Sequence, residues 1–442
     1  MSEIVPTAHP ERSWAAFAAI DWADQKHFWN LLPADSQQSE QGSLDNTPEA
    51  VEDWAAALRR RFGGRPIAIC LEQSRGALIY MLAKYDHLVL FPAHPTTAAR
   101  YRETFCPSGA KADSSDAALL LDLLLRHRER LHQWQPDTLE TRLLQVLTEQ
   151  RRRLVNEKTR QSLRLMDCLK IYFPQLLTWF RKVGSTRLGA VLERWGTLQE
   201  MQHEHPGTLR QFFRQHICRD EETIRQRIDA IYGAVPATQD QAILEGLSMT
   251  AHGLAAVLKT LREQIAQLDL RIAKVVVSHP ETGLFSSLPG AGPVLIPRLI
   301  VVFGTCRERW QSASQIQALS GIAPVTKASG KSQWVHFRFA CPKFMRQTFQ
   351  EFANCSIRFS PWARTYYDAQ RDQGKAHQAA IRALAFKWIR IIYRCWKDGR
   401  PYNEQAYLQH LRERNSPVRQ ALATGFQWTT VAGFSKLTTN PS

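Results

Sequence analysis

The rhythm of apolar and polar positions changes twice along the chain. Up to about residue 135, short apolar runs alternate with helical periods. "WAAFAAIDWA" reads as a strand, and "KHFWNLL" follows closely enough to pair with it as a hairpin. The polar stretch "PADSQQSEQGSLDN" leads into "TPEAVEDWAAALRRRF", where Thr47 caps a helix, Pro48 takes its first position, and Gly63 and Gly64 stop it. "RPIAICLE" is a compact buried strand, "GALIYMLAKY" a helix, "HLVLFP" a strand and "HPTTAARYRETF" a helix. Strands alternating with helices predict an α/β layer domain with parallel strands at its centre.

After Pro136 the strand signal stops. "DTLETRLLQVLTEQRRRLVNEKTRQSLRLMDCL" repeats leucine at three- and four-residue intervals and predicts one long basic helix. Helical periods continue from Arg181 to Val277, interrupted at Gly207 and around Gly233 to Pro236. This middle region reads equally as a coiled pair or as an ordinary bundle. A third region opens with "LFSSLPGAGPVLIPRLIVVFG" and ends in helices near Glu413, and a patternless tail follows. The expected domains are 1–135 (α/β), 136–278 (helical, coiled-coil-like), 279–414 (mostly α) and 415–442 (tail).

Charge changes this picture. The chain of 442 residues carries +16, which points to a polyanionic partner. From Glu281 onward there are 22 Lys plus Arg against 8 Asp plus Glu, and no acid lies between Glu308 and Glu351. That segment is built to face anions. Eight cysteines without a CxxC pair argue against a zinc ribbon or a disulfide framework. The apolar runs "AALLLDLLL" and "VLIPRLIVVF" fall short of the roughly 20 residues that a membrane span needs. "MSEIVPTAHPERSW" has no signal-peptide pattern, so a soluble, cytoplasmic protein with no membrane partner is expected.

Four acids stand out. Asp21 closes the first strand on the face of Phe17 and Ala19, and Glu72 closes another on the face of Ala68 and Cys70. Groups at the carboxyl ends of parallel strands line the crevice where α/β sheets bind ligands. Asp113 and Asp116 sit three apart at the mouth of an apolar helix, where one could simply cap it. Oxygen-rich sets of this kind suit hard divalent ions, Mg2+ or Mn2+, in phosphoryl chemistry. Lys111 is a candidate to steady a phosphate, although a solvated lysine before a helix is commoner. Asp24 reads as a turn residue, Asp122 as part of a solvated flank, and His94 and His377 as capping or packing residues.

With "AIDWAD", "CLEQSRG" and "KADSSDA" in hand, the chain resembles the DEDD transposases of bacterial insertion sequences, the IS one-ten family. The resemblance places the family's quartet on Asp21, Glu72, Asp113 and Asp116. It implies a RuvC-like amino-terminal domain of ribonuclease H type. "LFSSLPGAGPVLIPRLIVVFG" looks like the family's helix-hairpin-helix segment, in which Gly290 and Gly292 would let backbone amides approach a phosphate. "LSGIAPVTKASGKS" looks like its serine motif, with Ser329 in the place of the nucleophile. On the residues alone, a Ser-Gly pair among lysines is more often a phosphate-contacting loop.

Lys327, Lys331, His336 and Arg338 supply a positive neighbourhood for such a serine, Lys343 and Arg346 extend it, and Trp334 could stack on a base. Ala112 and the Pro342–Lys343 step depart from the family's usual pattern. The resemblance implies an RNA-guided recombinase that joins donor and target DNA through a covalent phosphoserine. Its further implied partners are a structured guide RNA and further copies of itself, as a homodimer or homotetramer, with action at the bacterial nucleoid. Two other readings are a structure-selective nuclease, which would not need Ser329, and a non-catalytic nucleic-acid-binding protein, which would bind without cleaving.

Overall fold

The computed structural model describes residues 13–72, 76–105, 113–330 and 332–413. Two compact units divide at residues 136 and 137.

The first unit is built on a five-stranded sheet ordered β3-β2-β1-β4-β5. β1 (Ala16–Asp21) and β2 (Lys26–Pro33) form the expected antiparallel hairpin. β4 (Ile67–Leu71) and β5 (Leu88–Pro92) continue from β1 in parallel. The sheet is thus mixed: β1, β4 and β5 run parallel, while β2 and the edge strand β3 (Glu40–Asp45) add antiparallel pairs. β3 lies in the polar stretch, where only Leu44 among its residues is buried, so no apolar alternation marked it. Between the strands run α1 (Pro48–Phe62) and α2 (Ala77–Leu82), and after β5 follow α3 (Pro95–Phe105) and α4 (Asp113–His127). Thr47 caps α1 by accepting from the Ala50 N–H, and Gly63 ends it at φ 61°.

Alternation along the strands makes two cores. Ala16, Ala18 and Ile20 of β1 face Val51, Ala55 and Leu58 of α1. On the other face Ala19, Ala68 and Cys70 meet Leu120, Leu121 and Leu124 of α4.

The second unit begins with α5 (Leu139–Tyr172). Five short helices follow: α6 (Gln175–Trp179), α7 (Thr186–Arg194), α8 (Leu198–His203), α9 (Pro206–His216) and α10 (Glu221–Tyr232). The chain then returns along α5 as α11 (Gln241–Ser278). The pair is antiparallel: Arg151 is bridged to Asp269, while Cys168 Sγ meets the Leu247 carbonyl at 3.4 Å.

Each end of this pair enters a different core. Leu165, Leu169 and Tyr172 of α5 pack with Ala251, Ala255 and Leu258 of α11 and with the short helices. Leu144, Ile272 and Val275 join the carboxy-terminal core instead. The middle is therefore a paired stem with its own helical head.

The remaining elements are α12 (Thr282–Ser286), α13 (Leu295–Phe303), α14 (Ala313–Leu319), the hairpin β6 (Val325–Ser329) and β7 (Ser332–His336), α15 (Lys343–Ser356), α16 (Pro361–Asp372), α17 (His377–Asp398) and α18 (Glu404–Glu413). Their core packs Trp362 against Trp388, with ring centres 4.6 Å apart and planes tilted by 50°. The β6–β7 hairpin was not expected in this mostly helical region. No helix among the described residues is long and apolar enough to cross a membrane. The seven described cysteines are free.

Candidate functional site

The register of the sheet brings two of the four acids together. β1 and β4 pair with Ile20 opposite Leu71, so the next step puts Asp21 opposite Glu72 on neighbouring parallel strands. Both are half-buried. They share the face of Ala19 and Cys70, which α4 covers. Just past the end of α4, the Arg128 guanidinium lies 5.4 Å from the ring centres of Trp14 and Phe17, at the start of β1. α4 therefore runs back along β1, and its first turn, from Asp113 to Asp116, is carried toward the Asp21 and Glu72 end.

The third acid is already partnered. Asp116 is 2 % exposed, and its Oδ1 accepts from Arg102 Nε of α3 at 2.7 Å. Of Asp113 only the backbone is described, at the first position of α4. Among the described residues no three His, Cys, Asp or Glu side chains converge as metal ligands. The donor chemistry nonetheless fits a hard divalent cation: Asp21 and Glu72 bring two carboxylates from backbones one strand spacing apart, roughly 4.8 Å. Asp116 Oδ1 is held by Arg102.

A second tie fastens α3 to α4. Tyr101 donates to Asp122 Oδ2 at 2.5 Å, and Arg126 Nε donates to its Oδ1 at 2.6 Å. Asp122 is therefore a bridged group rather than a solvated flank. Burial opposes its ionisation, but the bonds from Arg126 and Tyr101 outweigh burial and hold its pKa low. Burial and then Asp122 push the Tyr101 phenol up to about 12. His94 Nδ1 accepts from the Thr96 N–H and so caps α3. Asp24 contributes its carbonyl to Asn46 at 3.0 Å, between the β1–β2 turn and the end of β3. Lys111 lies outside the described residues.

Ser329 ends β6 and pairs with Ser332 across a two-residue turn. Gly330 in that turn has φ 56°, the left-handed region where a side chain is strained. Ser329 is exposed, as are Lys327, Trp334 and His336. Lys327 stands directly opposite Trp334. Lys331 lies outside the described residues. Lys343 is exposed at the start of α15, and Arg338 is half-buried.

Arg346 of α15 acts as a strut. It donates to the carbonyls of Arg338 and Phe339, and its guanidinium lies 4.5 Å from the Phe337 ring centre. Arg382 of α17 lies 4.6 Å from the same ring. These contacts hold the segment after β7 against the helices. His377 Nδ1 bonds the Tyr367 hydroxyl at 2.8 Å, a packing role.

Gly290 and Gly292 form the turn between α12 and α13. Gly290 has φ 82°, and a Cβ there would lie 3.0 Å from the Cys355 carbonyl carbon, so the fold itself demands glycine. Gly292 faces open space, and its carbonyl accepts from Leu295 and Ile296 to start α13.

Sequence patterns gave no signal for Arg102, Arg298 and Arg382, because their partners are distant in the chain. Arg298, inside the apolar run of α13, is only 3 % exposed; it pairs with Glu351 and donates to Thr348 Oγ1 at 3.0 Å.

Comparison with known proteins matches both parts of the chain. A family model for transposases of the DEDD, IS110 type matches residues 18–174, which contain all four acids. A second, described as the IS116/IS110/IS902 transposase family, matches residues 283–368, which contain Ser329. A Streptomyces coelicolor protein named for transposition of the IS117 mini-circle is 26% identical over 415 residues, covering 89% of this chain and 97% of its own length. A protein of insertion element IS110 from the same organism is 27% identical, covering 88% of this chain and 96% of its own. One of insertion element IS900 from Mycobacterium paratuberculosis is 23% identical, covering 88% and 97%. With the acidic sheet end in one matched region and the serine hairpin in the other, the chain belongs to the IS110 family of transposases.

Proposed function

We propose that this chain cuts and rejoins DNA through a covalent phosphoserine on Ser329, under the direction of a structured guide RNA from its own element. The observation that carries the reading is that the β1–β4 register, ending at Ile20 opposite Leu71, leads into Asp21 and Glu72 side by side, on the face covered by the acid-bearing helix α4. The strand order, three antiparallel strands extended by two parallel ones, supports a ribonuclease H-type, RuvC-like domain. Asp21, Glu72, Asp113 and Asp116 would hold the divalent cation, which when bound supplies positive charge against the scissile phosphate.

The exposed Ser329 hydroxyl attacks phosphorus. Its Oγ–P bond forms as the P–O bond to one sugar breaks, and the serine proton passes through solvent to the departing sugar oxygen. A sugar hydroxyl of another strand then displaces the serine, so that rejoining needs no ATP. Lys327, Lys331 and Arg338 offset charge developing on the phosphate. Trp334 offers a stacking surface for a base, and Lys343, with the Gly290–Gly292 turn, offers backbone contacts. A positive surface without a single recognition helix suits a protein that reads shape and backbone while RNA pairing reads sequence. Acids and serine belong to different compact units, and assembly as a dimer or tetramer through the stem would give several copies of each.

The test is Ser329→Ala, assayed on denaturing gels for a protein–DNA adduct with magnesium present. Loss of adduct and of strand exchange is expected. Undiminished cleavage by the variant would point instead to a nuclease that activates water. Sequencing RNA that co-purifies with the protein should return one discrete structured species; random fragments would refute RNA guidance.

A further inference from the structure

At the root of the stem, a narrow cleft is lined by Arg151 and Arg152 of α5, Asp269 of α11, and Val294 and Arg298 at the start of α13. Three guanidiniums meet two carboxylates here. Arg151 is bridged to Asp269, while Glu351 takes both Arg152 Nη2, at 3.2 Å, and Arg298 Nη1. One positive charge is left over among the described residues. Two guanidinium nitrogens, Arg152 Nε and Arg298 Nη2, are buried with no hydrogen-bond partner.

An unmade bond from a buried charged donor is destabilising, and arginine does not escape by losing its proton. The nine-residue helix α13 also turns its positive amino-terminal end toward the cleft, since Val294 and Arg298 both line it. The site is therefore short of one anion.

We propose that this cleft seats a backbone phosphodiester of a bound nucleic acid, held by Arg152 and Arg298. A phosphodiester brings one negative charge to the one uncompensated positive charge, and two non-bridging oxygens to the two unmade donors. The assignment rests on the nucleic-acid-handling function above, yet it concerns residues separate from the acidic quartet and from Ser329. Glu351 is the built-in competitor, because its carboxylate already draws on the charge of the same two guanidiniums through Arg152 Nη2 and Arg298 Nη1.

The experiment measures affinity of the full-length protein for duplex DNA and for single-stranded RNA between 50 and 200 mM salt. Arg152→Gln leaves Glu351 paired with Arg298 and should fold normally, which its melting temperature checks. It should lower the slope of log affinity against log salt by about 0.9 on duplex or about 0.7 on single strands, roughly a 3.5-fold or 2.6-fold difference across that salt range. Arg298→Lys keeps the charge but loses the fork, and should weaken binding in the same direction. Glu351→Gln should strengthen it.

Inorganic phosphate is the control for a free anion. If it raises the melting temperature of the wild type but not of Arg152→Gln, while the nucleic-acid slopes coincide, the seat takes free phosphate and the phosphodiester assignment fails. Identical slopes and affinities in all three variants, with no phosphate effect, would mean that the cluster only braces the stem. A wild type that binds neither nucleic acid would sink the functional reading as well, an outcome distinct from either of these.

Discussion

Asp116 is buried with its carboxylate on Arg102, and removal of either partner strands the other. Arg102→Leu should destabilise the first unit by about 3 kcal/mol, because an unpaired buried charge is left behind. Urea denaturation should show it, and the double variant Arg102→Leu, Asp116→Leu should recover much of the loss. Asp137 offers a pH test. Burial opposes its ionisation, but bonds from the Thr305 hydroxyl and from the Thr138 and Thr305 N–H groups, with Arg309 nearby, hold its pKa below the usual range. A depressed carboxyl pKa contributes stability that is present above the unfolded value, about 3.9, and fades as pH falls through the folded one. Asp137→Asn should therefore melt below the wild type at pH 7, and the gap should narrow progressively as pH falls below about 3.9. Asp21 and Glu72 were legible in the sequence because strand alternation fixes which face they share. Arg102 was not, since nothing local ties it to an acid 14 positions away.

At the scale of elements, legibility followed burial. β1, β4 and the helices α1, α5 and α11 announce themselves by apolar periodicity, whereas β3 and the β6–β7 hairpin are mostly exposed and show none. The hairpin is specified by backbone pairing and by the Gly330 turn. Gly330→Val should disturb the presentation of Ser329, since a β-branched residue resists positive φ. Adduct formation should fall well below wild type while the melting temperature barely moves, because little core depends on the hairpin. Gly330→Asn, which tolerates that conformation, should retain most of the adduct. Equal losses in both variants would show that the turn's geometry is not what matters.

At the scale of the whole molecule, each unit carries its own cores. Calorimetry should resolve two transitions rather than one, since chains built from separate cores depart from all-or-none unfolding; Arg102→Leu should then shift only one of them. Within the second unit, the stem helices leave the carboxy-terminal core near Leu144 and return to it near Ile272. α5 alone is about 50 Å long. Chain exit and re-entry lie side by side, so everything beyond Arg151 and Asp269 is a detour in the thread. A shortened chain in which residues 157–263 give way to a tight turn should still build the tryptophan-packed core. Evolution could likewise lengthen, trim or exchange the outer part without rewriting the remainder, which makes that excursion the place where kindred sequences are freest to diverge in size.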